Sequence, residues 1–329
     1  MGNRYLGITI LFLLPLIASA QWQKSPDFPN DFFNEVQFVD NTHGWVTRQN
    51  GSVSRTTDGG LRWMSSTMPG ATSSSNRDIC FLSRTIGFVS GEDGVWKSAD
   101  GGATWTNITP SGFAEFGSSS VWFTDANNGV AGTGACSDST VKFFRTTDGG
   151  VNWSATTYTS TNDVSVGGIT FVNGAYLASG GRGKLWRSTD GGSTWTMTNT
   201  GSNGWQEDII TFGNDVLIAA TTGSACGVAG GGTVLRSTNG GSTWTTTTFP
   251  LNLMWGVTRY SPTEGWTCGD GGLALKTTDG GNTWIDQSCG MPRGIRVDDI
   301  SFTDATHGWA VGDGLYKLAD ASIDVSPDT

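Results

Sequence analysis

Apolar and polar residues alternate over short stretches that are separated by glycine-containing turns along this 329-residue chain. The stretch from Ile300 to Asp320 illustrates the pattern, because ISFTD is followed by HGWAVG and then by GLYKLAD. Alternation with period two is typical of half-buried β-strands, and such short spacings require antiparallel neighbours. The chain shows no sustained helical periodicity with capping residues. The pattern therefore predicts an all-β protein.

This unit of short alternating stretches and glycine turns recurs seven times. Six copies end in a similar nonapeptide, here called the box, such as RSTDGGSTW at Arg187–Trp195. The acidic position of this box recurs at steps of 42, 48, 42, 49, 40 and 41 residues when a degenerate copy at Asp320 is included. A period of about 40–50 residues that holds four short strands is typical of propeller blades. The seventh copy stops at LADAS and lacks the Trp, whereas Gln21–Pro26 resembles the missing fourth strand. We therefore expect residues 21–329 to form a single seven-bladed β-propeller with four-stranded antiparallel blades. The N-terminal strand would supply the outer strand of the last blade and so remove an open sheet edge.

The repeated box has the chemistry of a turn. Gly accepts the positive φ of tight turns, Asp accepts N–H groups within its own turn, and Trp covers the hairpin. Asn239 replaces Asp in the fifth copy, which keeps the acceptor and loses the charge. We therefore interpret the box residues as structural rather than catalytic or Ca²⁺-binding. They are Asp58, Trp63, Asp100, Trp105, Asp148, Trp153, Asp190, Trp195, Asn239, Trp244, Asp279 and Trp284.

A basic residue stands three positions before each acidic position of the box. We expect these seven residues to lie along blade edges, with a basic ring that faces a partner as the alternative. They are Arg55, Lys97, Arg145, Arg187, Arg236, Lys276 and Lys317.

The net charge and the first 20 residues limit the classes of function that we expect for this chain. The net charge is −10 without a basic tract, so nucleic-acid binding through phosphate neutralisation is not expected. Residues 1–20 have a basic start, a short apolar run and an Ala-Ser-Ala end, which predicts a signal peptide cleaved near Ala20. We expect an exported protein that is periplasmic, cell-surface or secreted, with no transmembrane segment in the mature chain.

The five cysteines permit but do not fix disulfides. One arrangement pairs Cys136 with Cys226 and Cys268 with Cys289 and leaves Cys80 buried; free thiols are the alternative. The two histidines, His43 and His307, occupy one repeat position, so no metal site and no cofactor is expected.

The face opposite the boxes carries the sequence differences between repeats, and its loops hold the candidate ligand-binding residues. Aromatic rings beside acids and arginines suit peptide or sugar recognition; the alternative is blade packing and solvated charges. The candidates are Phe33, Glu35, Arg77, Asp78, Phe116, Trp205, Glu207, Asp208, Trp255, Arg293, Arg296 and Asp299; Phe32 and Asp298 lie in the same loops.

The S/T-x-D-G-G-x-T-W pattern resembles the Asp box of BNR-repeat proteins, which include sialidases, xyloglucanase-type glycosidases and sortilin-type receptor domains. The longer pattern, F-x-D-x-x-x-G-W followed by the box, most resembles the photosystem II stability/assembly factor propellers and covers residues 22–320. That resemblance implies a non-catalytic binder, and no catalytic residue is assigned. We therefore expect an exported scaffold that binds a protein partner, with a glycan as a second possibility, or that helps assemble a cell-envelope complex. A glycoside hydrolase of the Asp-box type and a secreted adhesion or glycan-binding module stay open as alternatives.

Overall fold

Seven four-stranded antiparallel sheets form the ring. The structure is a computed structural model that describes residues 21–28, 31–71, 76–113, 119–134, 140–159, 165–223 and 230–319. Each blade runs from an inner to an outer strand, here named A, B, C and D. The seven-bladed propeller expected from the repeat is thereby confirmed.

The first four blades follow one another along the chain. Blade 1 consists of β2 (Phe33–Phe38), β3 (Gly44–Arg48), β4 (Ser52–Thr56) and β5 (Met64–Thr67). Blade 2 consists of β6 (Asn76–Phe81), β7 (Gly87–Gly91), β8 (Gly94–Ser98) and β9 (Thr106–Asn107). Blade 3 consists of β10 (Ser119–Phe123), β11 (Gly129–Gly134), β12 (Thr140–Thr146) and β13 (Ser154–Thr159). Blade 4 consists of β14 (Ile169–Val172), β15 (Ala175–Ser179), β16 (Lys184–Ser188) and β17 (Thr196–Asn199), with a 3₁₀ turn at Gly181–Gly183.

The last three blades complete the ring. Blade 5 consists of β18 (Gln206–Phe212), β19 (Asp215–Thr221), β20 (Gly232–Ser237) and β21 (Thr245–Phe249). Blade 6 consists of β22 (Met254–Arg259), β23 (Gly265–Gly269), β24 (Leu273–Thr277) and β25 (Ile285–Asp286). Blade 7 consists of β26 (Val297–Phe302), β27 (Gly308–Gly312), β28 (Gly314–Leu318) and β1 (Trp22–Lys24).

The N-terminal strand closes the ring as expected. Trp22 lies opposite Leu318 in the antiparallel pair of β1 and β28. The Trp22 side chain is 2% exposed, and its ring makes edge-to-face contacts with Trp266 and Phe302 at 5.8 and 5.9 Å. Its Nε1 donates to the Gln287 carbonyl at 3.1 Å. Burial of this aromatic ring therefore stabilises the joint between the two ends of the chain.

Among the described residues, the core contains the same aromatic stack at four blade interfaces. At these interfaces, an aromatic residue near the start of strand B lies parallel to a Phe of strand A in the next blade. Trp45 stacks on Phe81 at 3.5 Å, and Trp309 stacks on Phe38 at 3.4 Å. Gly44 precedes Trp45 because a Cβ there would lie 2.4 Å from the Phe38 ring. The F-x-D-x-x-x-G-W spacing thus reflects packing between neighbouring blades.

The nonapeptide box forms the turn between strands C and D. In blade 4, Asp190 Oδ1 accepts hydrogen bonds from Ser188 Oγ at 2.8 Å and from the Thr194 amide at 2.9 Å. Asn239 occupies the same position in blade 5, where its Oδ1 accepts from Ser237 Oγ and the Thr243 amide, both at 2.9 Å. The side-chain oxygen holds the turn closed in both cases.

The basic residues of strand C contact the next blade. Arg145 Nε donates to the Gly191 carbonyl at 2.9 Å, and Arg236 Nε donates to the Gly280 carbonyl at 2.7 Å. Lys97 Nζ reaches the Gly149 carbonyl at 3.4 Å. Each of these carbonyls belongs to the first box glycine of the following blade. Arg145, Arg236 and Lys97 therefore tie neighbouring blades together, whereas Lys276 pairs with Glu264 of its own blade.

The cysteine pairing proposed within blade 6 is wrong. Cys268 and Cys289 are both free, the first buried and the second exposed. Cys268 lies opposite Ala274 of strand C, whereas Cys289 follows strand D on the far side of that strand. Two strand spacings of about 5 Å exceed the Cα separation of about 4.4–6.8 Å that a disulfide spans. Cys80 is free and buried, as expected, whereas Cys136, Cys226 and the signal peptide lie outside the described residues.

Candidate functional site

The B–C and D–A loops form one face of the ring, here called the loop face; the A–B turns and the boxes form the opposite, box face. Among the described residues, strand A of five blades carries a register shift near its loop-face end. The shifts lie at Phe33/Val36, Asn76/Asp78, Gln206/Asp208, Met254/Gly256 and Val297/Asp299. A bulge re-aims side chains at a strand end. Trp255 and Asp298 are the residues at the register shifts of blades 6 and 7.

A channel of about 320 Å³ runs between the inner strands. Five acidic residues line it, among them Glu35, Asp78, Asp208 and Asp299 from blades 1, 2, 5 and 7. These four residues hold one repeat position, because each directly precedes a buried Val or Ile of strand A. Glu207 and Trp122 contribute further parts of the wall.

Three of these carboxylates bridge neighbouring blades. Oδ2 of Asp78 accepts the Val121 amide, Oδ2 of Asp208 accepts the Val257 amide, and Oδ2 of Asp299 accepts the Val36 amide, each at 2.9 Å. The second oxygen of Asp78 and of Asp299 accepts the amide of the following residue at 2.7 Å. The aspartates therefore supply the acceptors that the inner strands need between blades.

Burial raises the pKa of all four channel carboxyls. The pKa of Asp78 rises to about 7, and that of Asp208 rises to about 6. Burial and the Asp208 charge raise the pKa of Asp299 to about 7. Burial and the Asp299 charge raise the pKa of Glu35 well above its usual range. The interaction between the two carboxyls raises the pKa of Glu35 further, and it opposes the rise in the pKa of Asp299.

This arrangement does not resemble the machinery of a glycosidase. Retaining enzymes separate their two carboxyl groups by about 5 Å and inverting enzymes by more, which leaves room for sugar or water. Glu35 and Asp299 are in hydrogen-bond contact, whereas Asp78 and Asp208 are bonded to backbone amides. Three of the channel acids instead accept backbone amides of the next blade.

A half-exposed aromatic and charged patch lies on the loop face of blades 6, 7 and 1. The Arg296 guanidinium stands 3.9 Å from the ring centre of Trp255 and 5.9 Å from that of Phe32. Its NH2 pairs with Asp298 Oδ1, and its side chain remains 43% exposed. We call Phe32, Trp255, Arg296 and Asp298 the loop-face patch.

Two aspartates fix the geometry of the patch. Asp270 Oδ1 accepts the Trp255 indole N–H at 2.7 Å, and Asp313 Oδ2 accepts the Arg296 amide at 2.8 Å. Burial raises the pKa of Asp298 to about 7, although the Arg296 charge opposes the rise. Both supporting aspartates come from B–C loops. Neither aspartate was predicted from the sequence, because the prediction considered only the D–A loops. The Gly-Asp-Gly sequence of both B–C loops was the signal that could have indicated them.

The structure separates the predicted loop-face residues into distinct environments. The loop-face patch contains Trp255 and Arg296. The channel is lined by the five predicted acids Glu35, Asp78, Glu207, Asp208 and Asp299. Phe33 is fully buried against Phe28 and offers no ring face to a ligand. Trp205 is half-buried and Arg293 is exposed, and neither contacts the patch in any described interaction. Phe116 and the Arg77 side chain lie outside the described residues.

The described residues contain no group of three or more His, Cys, Asp or Glu side chains arranged to hold a metal ion. Within the same ranges, no helix has the length and apolarity needed to cross a membrane.

Fold and site together define a seven-bladed propeller with a bonded acidic channel and a polar-aromatic loop face. Residues 14–161 match the family described as photosynthesis system II assembly factor YCF48. The chain is similar to a solved structure of YCF48 bound to a D1 peptide, with 18% identity, a TM-score of 0.67, and coverage of 92% of this chain and 97% of that one. The resemblance to assembly-factor propellers predicted from the repeated box is thereby confirmed.

Glycoside hydrolases share the fold. The GH74 enzyme of Niastella koreensis aligns at 15% identity and a TM-score of 0.68, over 92% of this chain and 54% of that one. A curated xyloglucanase of Paenibacillus sp. is 30% identical over 149 residues, which are 35% of this chain and 14% of that enzyme. The match therefore spans only a small part of this curated relative.

Proposed function

We propose that this chain is an exported, non-catalytic scaffold that binds a protein partner through the loop-face patch. The observation that carries the proposal is the stack of Arg296 on Trp255, because it presents a rigid cation and an aromatic edge together. Trp and Arg dominate the energetics of protein interfaces, most strongly where neighbouring groups fix their geometry. Asp270 and Asp313 provide that fixation here.

The likeness to YCF48 supports a polypeptide ligand, since that propeller has been solved with a bound D1 peptide. The leader-like residues 1–20 support export and hence a partner in the cell envelope or outside the cell. A role in assembling an envelope complex follows from this location and from the assembly-factor resemblance.

The test is crosslinking of the full chain in its native cells, followed by identification of the captured proteins. Trp255→Ala and Arg296→Ala should each reduce capture of a specific partner at least tenfold, since interface anchors contribute about 2 kcal/mol or more. Arg62→Ala is the matched control, because Arg62 is an exposed arginine on the box face. Capture that is equal in all four proteins would refute a binding role for the patch.

A glycoside hydrolase is the second candidate, favoured by the local 30% identity with a xyloglucanase. The purified protein would be incubated with xyloglucan oligosaccharides, and new reducing ends would be measured. We expect no turnover, because the channel carboxyls are bonded to the backbone or to one another. Turnover that disappears in Asp299→Asn would replace the scaffold proposal with the enzyme.

A further inference from the structure

Asp298 is held in a different way from Asp299, its neighbour in strand A of blade 7. Asp299 accepts two backbone amides, from Val36 at 2.9 Å and from Ile300 at 2.7 Å. Asp298 instead contacts the NH2 group of Arg296 through its Oδ1. Its side chain is 8% exposed, and its Oδ2 is buried without a hydrogen-bond partner among the described residues. The ionised form of Asp298 therefore depends on a single ion pair.

One guanidinium stands among three carboxyl groups in this part of the loop face. Asp270 and Asp313 come from the B–C loops of blades 6 and 7, and their charges oppose ionisation of Asp298. The Arg296 charge favours ionisation, but burial outweighs it and raises the pKa of Asp298 to about 7. The ion pair between Asp298 and Arg296 is therefore made and lost near neutral pH.

Two further titratable groups pack near this cluster. The Cys268 thiol of blade 6 stays protonated, because burial raises its pKa well above the usual value and the Asp298 charge adds to the rise. The Lys24 side chain of β1 lies beside Asp313, since a Cβ added to Gly314 would be 2.7 Å from Lys24 Cε. Among the described ion pairs, Asp298 is the one acid that contacts the Arg296 guanidinium.

The Arg296 side chain has a second support that does not titrate. Its guanidinium stands 3.9 Å from the ring centre of Trp255 and 5.9 Å from that of Phe32. A cation is attracted to an aromatic face whether or not a nearby carboxyl is charged. We therefore expect Arg296 to stay over Trp255 when Asp298 takes up a proton. Because the Arg296 side chain is 43% exposed, a partner can reach it.

Protonation of Asp298 removes the charge that competes for the guanidinium. A hydrogen bond with an ionised partner is about twice as strong as one between neutral groups, so the neutral carboxyl holds Arg296 less tightly. We propose that Asp298 is a proton-operated switch of the loop-face patch: its carboxylate occupies Arg296, and its protonation frees the guanidinium for a carbonyl or carboxylate of a protein partner. This inference concerns the regulation of the patch and rests on the proposed function. Binding then strengthens as the pH falls through neutrality.

Spectra of the free, full-length protein test the switch without a partner. The protein is labelled with ¹³C at the aspartate carboxyls and with ¹⁵N at arginine. The Asp298 carboxyl should titrate near neutral pH, and the Arg296 Nε resonance should move with the same midpoint. Asp298→Asn should abolish that movement. Through-bond spectra of the unmodified protein assign both resonances, so the test stands if the variant does not fold.

Asp299→Asn is the matched control. Burial and the Asp208 charge raise the pKa of Asp299 to about 7 as well, but this carboxyl bonds to backbone amides and not to Arg296. The transition of the Arg296 resonance should therefore persist in this variant. Its loss would assign the switch to the channel acids and overturn the role of Asp298.

Crosslinking in washed cells held at pH 6 and at pH 8 measures the effect on binding. The unmodified protein should capture about tenfold more partner at pH 6, which is the ratio of protonated fractions for a pKa of about 7. Asp298→Asn is uncharged at both pH values and should capture equally at both. Asp299→Asn should keep the pH dependence.

Two results would overturn the proposal. One is an Arg296 resonance that does not follow the titration of Asp298. The other is capture that requires Trp255 and Arg296 but is equal at pH 6 and pH 8, which would leave the proposed function intact. Capture that is unaffected by Trp255→Ala would refute the binding role of the patch instead, and the spectra would still decide whether Asp298 controls Arg296.

Discussion

Asp299 in the last blade accepts the backbone N–H of Val36 in the first blade at 2.9 Å, although 263 residues separate them in sequence. Asp78 and Asp208 make the same bond between other blades. The carboxylate is therefore part of the ring and not a free group at the mouth of a site. This placement has consequences for how the fold responds to pH.

The free energy of unfolding should fall as pH rises from about 4 to about 7. The folded-state pKa values of Asp208, Asp78 and Asp299 are about 6, 7 and 7, above the usual value of 3.8. The folded chain thus binds more protons than the unfolded chain in this range, and deprotonation favours unfolding. The stabilisation is fully present below about pH 4 and lost above about pH 7. Denaturant titrations at several pH values measure the slope.

Asp299→Asn should flatten that slope, because the amide does not titrate. The box aspartates do not contribute to it, since hydrogen bonds from the Thr194 side chain and amide lower the pKa of Asp190 to about 2. An unfolding free energy that rises between pH 5 and pH 7 would contradict the raised pKa values.

Trp22→Ala should destabilise the fold by about 3–5 kcal/mol, the usual cost of deleting a buried aromatic ring. The loss follows from the contacts of Trp22 with Trp266 and Phe302 and from its bond to Gln287. Gln23→Ala is the control, because its side chain is exposed on the same strand. Chemical denaturation of both variants measures the effect; similar stability in the two would show that closure does not depend on this ring.

Gly44→Ala should cost about 1–3 kcal/mol through overpacking, although alanine is normally favoured over glycine in strands. The added Cβ would meet the Phe38 ring at 2.4 Å and disturb its stack on Trp309. Gly174→Ala is the control that reports backbone strain without a steric clash. The φ of Gly174 is 76°, and no atom lies within 4 Å of a Cβ added there. Thermal unfolding compares them, and a neutral Gly44→Ala would refute the steric explanation.

Asp190→Asn should leave stability nearly unchanged, whereas Asp190→Ala should lower it by about 1 kcal/mol through lost hydrogen bonds. Asn239 already performs this role with the same acceptor geometry. Equilibrium unfolding of the Asp190→Asn and Asp190→Ala variants measures the difference in stability. A large loss in the Asn variant would show that the charge, rather than the acceptor, holds the turn.

Cys289 should react with a thiol reagent in the native protein, and Cys80 and Cys268 should react only after unfolding. Burial raises the pKa of Cys80 to about 12 and that of Cys268 well above its usual value, so both remain thiols. Mass spectrometry counts the labels, with Cys289→Ser expected to lose one native label. Native labelling that is unchanged in this variant would contradict the exposure of Cys289.

The sequence determined the blade number, the strand order and the closure by Trp22, because each repeat contains the alternation and the turn residues that form its own strands and turns. These features depend on local periodicity and on glycine at left-handed positions, which can be read without knowing any distant contact. The sequence also shows directly that six repeats carry the complete box and that the seventh copy, at Asp320, is degenerate.

Only the tertiary structure decided what the charged residues do. The acids of strand A and the basic residues of strand C occupy regular sequence positions, but most of their described partners lie in the next blade: Asp78 bonds to Val121 and Arg145 to Gly191, more than 40 residues away, and Asp299 bonds to Val36, 263 residues away. Phe33 and Phe32 are adjacent in sequence, and burial separates them: Phe33 packs in the core, whereas Phe32 lies near Arg296. Burial and contacts between blades come from the closure of the ring, so no single repeat can encode them.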